Sequence, residues 1–87
     1  MKSTLTSLIV EARDQTSAFV LRCDSFYYLG NSETFESSWR EGDMRRAVLF
    51  LTPADAERLL LANDADLNNY EVVEILVTTG GKRKFAN

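Results

Sequence analysis

The sequence predicts a small α+β domain: an antiparallel sheet of four to five strands with one helix packed on one face, in the order β-β-(β)-β-α-β. Short β-rich segments separated by turn residues and one strongly capped helix predict this fold class. An ordinary globular composition, with 45% apolar and 26% charged residues among 87, supports it. We expect one domain over residues 1–79, because a chain this short builds a single core, and a flexible basic tail over residues 80–87.

The first part of the chain predicts two or three strands. Residues 4–13 mix β-branched and apolar residues without a helical period, and a polar turn follows at residues 14–17. Residues 18–24 have the alternation of a half-buried strand, whose apolar face consists of Phe19, Leu21 and Cys23. The aromatic run at residues 26–29 forms a third short strand or continues the second one past a bulge.

Residues 31–46 are irregular, and we expect a loop there in which Trp39 begins or covers a short strand. Residues 47–51 read Ala-Val-Leu-Phe-Leu, and such a continuous apolar run indicates a central strand covered on both faces. A last strand is predicted over residues 70–79, after which Gly80 and Gly81 release the tail.

The helix has the clearest local signal. Thr52 suits the N-cap, Pro53 suits the first helical position, and Asp55 stands where a capping box has its acidic residue. The helix should continue to Ala62 and bury a stripe that contains Ala56, Leu59 and Leu60.

Composition excludes several kinds of catalysis. The chain has no histidine and one cysteine, which removes histidine-based acid/base chemistry, Cys/His zinc sites and an intrachain disulfide. Residues 64–68 space oxygen ligands as a calcium loop does, but Asn69 and Ile75 stand where that loop needs glycine and glutamate. We therefore expect no enzyme activity, no metal and no cofactor.

Charge gives one alternative reading. Arg40, Arg45 and Arg46 near Trp39, together with the tail, could serve a small nucleic-acid-binding or regulatory protein. Residues 1–79, however, hold 7 basic and 13 acidic side chains, and this net charge of −6 repels a phosphate backbone. Nucleic acid is thus the less favoured partner.

Aromatic residues crowd between positions 26 and 39, and tyrosine, tryptophan and arginine dominate the hot spots of protein interfaces. Tyr27 and Tyr28, as neighbours in a strand, must point to opposite faces, so one of them should face away from the helix. We expect a protein-binding surface over residues 27–46, in which acidic side chains select a basic partner. Its expected contact residues are Tyr28, Glu33, Glu36, Trp39, Arg40, Arg45 and Arg46.

The chain resembles many small phage, prophage and plasmid proteins. The resemblance lies in the order of its segments: residues 27–30, Trp39, residues 46–56 and the strand at residues 70–75. That group includes anti-CRISPR proteins and other inhibitors of host machinery, which act by occluding a surface. The resemblance implies a non-enzymatic inhibitor whose partner is a host protein complex. It carries no functional residue over, because the group shares no motif.

Two further expectations concern location and assembly. No stretch approaches the roughly 20 apolar residues of a membrane span, and the first residues lack the apolar core of a secretory signal, so we expect a cytoplasmic protein. Pairing of two copies would enlarge a small core, so a homodimer is one expected assembly.

Overall fold

The structure is a computed structural model that describes residues 15–86. Within these residues the chain forms five strands: β1 Gln15–Cys23, β2 Phe26–Tyr28, β3 Trp39–Glu41, β4 Glu71–Thr78 and β5 Arg83–Phe85. They form one antiparallel sheet in the order β3-β2-β1-β4-β5, and the helix α1, Pro53–Ala62, packs against β1 and β4. The predicted α+β fold class is confirmed. The strand predicted at residues 4–13 lies outside the described residues.

Strand β1 is the centre of the sheet. It pairs with β4 over eight positions, from Gln15↔Thr78 to Arg22↔Glu71, and with β2 through a two-residue turn. Residues 15–17, predicted as part of a turn, are therefore the beginning of this strand. Their polar side chains are exposed, which disguises the strand in the sequence.

Register and burial divide the sheet into two faces. The helix-side face carries Leu21, which packs with Ala56 and Leu60 of α1. The opposite face, here the loop-side face, carries Ala18, Val20 and Ile75. Cα partners share a face and neighbours in a strand alternate, so Tyr28 lies on the helix side and Tyr27 on the loop side. The predicted divergence of the two tyrosines is confirmed.

The helix begins as predicted. The Oγ1 atom of Thr52 accepts a hydrogen bond from the Asp55 N–H at 3.2 Å, and Pro53 occupies the first turn, where it needs no N–H partner. Ala56 and Leu60 are buried and Leu59 is half-buried, so the predicted apolar stripe is the one that meets the sheet. Within residues 15–86, no helix has the length and apolar character needed to cross a membrane.

Residues 47–51 are not the predicted central strand. Phe50 makes one isolated antiparallel bridge to Phe19, and Val48 donates to the Tyr28 carbonyl at 2.9 Å. β2 pairs with Arg22 and Cys23 only, and along the rest of that edge of β1 this bridge is the one pairing that residues 47–51 make. Leu49 and Leu51 are 40% and 79% exposed, which a strand covered on both faces would not allow.

Residues 42–48 cover the loop-side face instead. Ala47 is buried against that core, and Met44 packs beside it. The C-terminal residues hold this covering segment in place: the Arg83 Nη1 donates to the carbonyls of Met44 at 2.9 Å and Ala47 at 2.8 Å.

The C-terminal residues thus differ from the predicted flexible tail. Gly81 has a φ of 86°, a conformation that glycine adopts freely, and the chain turns there back onto β4. Thr78 N–H donates to the Lys82 carbonyl at 2.9 Å, and Arg83–Phe85 pairs with Ile75, Leu76 and Val77 as strand β5. The glycine pair forms a hairpin because β4 offers unpaired backbone groups along its outer edge.

Candidate aromatic groove

Four aromatic rings gather at one end of the helix-side face. The ring centroids of Tyr28, Phe35, Trp39 and Tyr70 lie 5.3 to 6.0 Å apart in five contacting pairs. The Phe35–Trp39 pair is edge-to-face, with 81° between ring planes, and aromatic pairs of this kind stabilise a cluster beyond their buried area. We call these four residues the aromatic cluster.

Local structure explains how the cluster assembles. The β2–β3 register places Tyr28 opposite Trp39. A 3₁₀ turn at Glu36–Ser38 then presents Phe35 beside them, and its buried Ser38 anchors the turn by donating from Oγ to the Thr34 carbonyl at 2.7 Å. Tyr70 joins from a different part of the chain, at the entry to β4.

An open groove borders the cluster. It encloses about 340 Å³ and is bordered by six residues: Cys23, Phe26, Phe35, Glu36, Trp39 and Tyr70. We call it the aromatic groove. The Phe26 side chain is 42% exposed at its edge, whereas most large apolar side chains of this sheet are covered. The groove can therefore accept an apolar or aromatic body from outside.

A second depression adjoins the first and shares Cys23 and Tyr70 with it. It encloses about 530 Å³, and its other lining residues are Asp24, Asn68, Asn69 and Glu71. We call it the acidic depression. The turn that supplies its amides is held by Asp66, whose Oδ1 accepts from the Asn68 N–H at 3.0 Å. These residues, which resembled a calcium loop in the sequence, thus serve as a capped turn.

Burial and charge set the electrostatics of the groove. Burial raises the pKa of the Tyr70 phenol above its usual value, and the nearby Cys23 and Glu36 raise it further. The phenol therefore stays neutral at physiological pH. Among the described residues, the side chains that line the groove and the acidic depression include no lysine or arginine.

The loop-side face has a different character at the same end of the sheet. Arg22 Nη2 donates to Glu71 Oε2 at 2.8 Å, and this bond is the main cause of the raised pKa of the guanidinium. The Arg22 guanidinium also lies 5.8 Å from the centre of the Phe85 ring, within reach of a cation–π contact. The positive charge of Arg22 is thus already paired with Glu71 within the fold.

The structure separates the predicted contact residues into two groups. Tyr28, Glu36 and Trp39 come together at the aromatic cluster and groove. Glu33 is exposed in the same loop between β2 and β3 as Glu36, but it does not line the groove. Arg40 pairs in register with Tyr27 and so belongs to the loop-side face.

The other two predicted arginines also lie away from the groove. Arg45 and Arg46 are exposed in the covering segment, and Arg46 Nη1 lies 3.6 Å from an Asp43 carboxylate oxygen. None of the three predicted arginines lines the groove.

Three groove residues were missing from the predicted contacts: Cys23, Phe26 and Tyr70. The alternation of residues 19–23 places Cys23 on the same face as Leu21, and the aromatic crowding includes Phe26, so the sequence contains a signal for both. No sequence signal links Tyr70 to Trp39, since the return of the chain through α1 brings them together.

Within residues 15–86, no three histidine, cysteine, aspartate or glutamate side chains are arranged to hold a metal ion. Comparison with known proteins gave no match to a family model, to a curated protein or to a solved structure.

Proposed function

We propose that this chain is a small non-enzymatic module that binds another protein through the aromatic groove. One observation carries the proposal: an open groove bordered by tryptophan, tyrosine and two phenylalanines, with Phe26 42% exposed at its edge. Tryptophan and tyrosine are enriched at hot spots, because a partner side chain that fills a groove between rings excludes water from a large apolar area.

The packing behind the groove favours recognition of a preformed shape. Ser38 is 1% exposed and its hydroxyl is bonded, so the turn that carries Phe35 and Glu36 is fixed from below. Trp39 is held between Tyr28 and Tyr70, at 5.5 and 5.3 Å between ring centroids. Rings already ordered in the free protein lose little conformational entropy on binding, which strengthens association.

The nucleic-acid alternative gains less support. The basic residues of the C-terminal segment do not form a free arm, since Arg83 is bonded to two carbonyls of the covering segment. Arg40 donates to the carbonyls of Ser37 and Trp39, and Arg46 faces Asp43. A phosphate backbone would have to compete with these contacts.

An inhibitor of host defence, which the resemblance to phage proteins implies, is the most specific form of this proposal. It stays a prediction. The groove supports the binding of a protein, which such an inhibitor requires.

Site-specific photo-crosslinking tests the proposal. A benzoylphenylalanine replaces Phe26 in one variant and Phe85 in a second, and both are expressed in the organism that encodes the chain. The two positions are matched, because they are 42% and 44% exposed and lie on opposite faces of one sheet. We expect a discrete, nuclease-resistant protein adduct from position 26 and none from position 85.

A second readout identifies the groove itself. Cys23 is the sole cysteine of the chain and borders the groove, so a partner seated there should slow its alkylation by a maleimide. Phe26→Ser should abolish this protection, whereas Phe85→Ser should retain it. Equal adducts at positions 26 and 85, adducts to nucleic acid only, or unprotected Cys23 in the complex would each reject the groove as the binding site.

A further inference from the structure

We propose that the aromatic groove receives the cationic head of a lysine or arginine side chain of the partner, with the Glu36 carboxylate as its counter-ion. This inference rests on the proposed function and adds the chemical class that the groove selects. Four aromatic side chains and a carboxylate border a single groove that has no basic residue in its lining.

The rings supply the first attraction. The face of an aromatic ring is electronegative, and a cation within about 6 Å of the ring centre is attracted to it, most strongly by tryptophan. The ring centroids of Phe35, Trp39 and Tyr70 lie 5.3 to 6.0 Å from one another, so the rings are too close for a cation to enter between them. The cation would therefore sit in the open volume beside the three rings, where Phe26 and Glu36 also border the groove.

The carboxylates supply the second attraction. Glu36 is exposed, borders the groove and takes part in none of the ion pairs seen among residues 15–86. The nearest arginine in sequence, Arg40, bonds to backbone carbonyls of Ser37 and Trp39. Glu36 is thus available to a charge that arrives from outside.

The acidic depression extends the same preference along the surface. It continues from the groove through Cys23 and Tyr70, and it presents Asp24 and Glu71 together with two amides. Glu71 already holds Arg22, which leaves Asp24 as the unshared carboxylate there. A partner segment that places one basic residue in the groove meets further acceptors in the acidic depression, so a basic peptide matches both in charge.

Four capped pentapeptides test the inference. They are identical except for a central lysine, arginine, norleucine or glutamate, and norleucine retains the apolar stem of lysine without its charge. Binding is followed by the NMR signal of the indole N–H of Trp39, the single tryptophan of the chain. We expect the lysine and arginine peptides to bind at least about fivefold more tightly than the norleucine peptide, and the glutamate peptide to be weakest.

Matched variants assign the charge to one residue. Glu36→Gln should weaken lysine-peptide binding about two- to fivefold, the range for one solvent-exposed ion pair, and should leave norleucine-peptide binding unchanged. Glu33→Gln is the control, since Glu33 is exposed in the same segment and does not line the groove. Binding of the lysine peptide should also weaken as salt is raised.

The outcomes separate this inference from the proposed function. Norleucine-peptide binding as tight as lysine-peptide binding, equal effects of Glu36→Gln and Glu33→Gln, or no binding of any peptide would overturn the cation preference. The crosslinks from position 26 and the protection of Cys23 decide independently whether the groove binds a protein. If both tests fail, the aromatic cluster is a structural element of the core.

Discussion

Arg83→Met is expected to lower the free energy of unfolding by about 2 kcal/mol. The guanidinium of Arg83 reaches from strand β5 to the covering segment, where its Nη1 donates to two backbone carbonyls, of Met44 and Ala47. The two partners lie 39 and 36 residues away in the chain, so these bonds close the loop-side core at long range. Methionine retains an apolar stem and removes both donors.

The magnitude follows from the geometry. A hydrogen bond that involves a charged group contributes about 1.5–3 kcal/mol, and two independent bonds would contribute about twice that. Arg83 is only partly buried, so water can replace part of the loss at each carbonyl. We therefore expect the equivalent of one full bond, which is a large share of the roughly 4–13 kcal/mol that stabilises a domain of this length.

Urea denaturation followed by tryptophan fluorescence measures the effect, because Trp39 in the aromatic cluster is the only tryptophan. With a urea dependence of about 1 kcal/mol per molar for a small protein, the midpoint should fall by about 2 M. Lys84→Met is the matched control: Lys84 is exposed in the same strand and its neighbour Arg83 points to the other face. Urea midpoints for the two variants within about 0.5 M of each other would refute the stabilising role of the two Arg83 hydrogen bonds.

Three other predictions concern the helix and the aromatic cluster. Leu60→Ala should cost about 2–5 kcal/mol in urea denaturation, whereas Leu61→Ala should cost less than about 0.5 kcal/mol, since the two leucines are 1% and 59% exposed; equal costs would contradict the assigned helix face. Thr52→Ala should cost about 1 kcal/mol and Thr52→Ser much less, because the capping oxygen is retained; equal losses in the same assay would reject the cap. The raised pKa of Tyr70 favours the neutral phenol in the folded state, so its contribution to the free energy of unfolding is complete below pH 10 and declines as pH rises above 10. Between pH 9 and 11, Tyr70→Phe should therefore lose less stability in urea denaturation than the unsubstituted protein, and equal losses would contradict this.

Elements with a strong local signal could be predicted. The helix start depends on Thr52, Pro53 and Asp55, which interact within one turn, and the sequence contains all of that information. Simple alternation separates the two faces of β1, but the strand is not half-buried as predicted, because Ala18 and Val20 are buried on the loop-side face while Leu21 is buried under the helix. Trp39 does begin a short strand.

Elements that depend on long-range competition could not be predicted. Residues 47–51 have the apolar run of a central strand, but β1 pairs with β4 and β2 instead, and the segment makes only the isolated bridge from Phe50 to Phe19. The C-terminal residues have the composition of a free tail, yet the exposed edge of β4 and the carbonyls of the covering segment give them partners. Neither the edge nor the carbonyls can be recognised before the sheet is assembled.

The candidate site was predicted in part for the same reason. Tyr28 and Trp39 are cross-strand partners in adjacent strands, so short-range crowding identifies them. The arginines at positions 40, 45 and 46 are close to Trp39 in sequence, but strand alternation and the path of the covering segment direct them elsewhere. Proximity in sequence therefore does not show which of these residues line the groove, and it gives no sign of Tyr70, which arrives from 31 residues away.

The position of the groove follows from the dimensions of the fold. A helix of ten residues is about 15 Å long, whereas the nine residues of β1 extend about 30 Å, so α1 cannot cover the helix-side face along its whole length. The chain covers the loop-side face with residues 42–48, and it leaves the end of the helix-side face, near Cys23 and Phe26, to the aromatic cluster. Large rings can close most of that gap, because each covers a wide area and needs little backbone. The remaining opening combines rigid rings with a carboxylate at the surface, which is the combination that a basic side chain of a partner can fill.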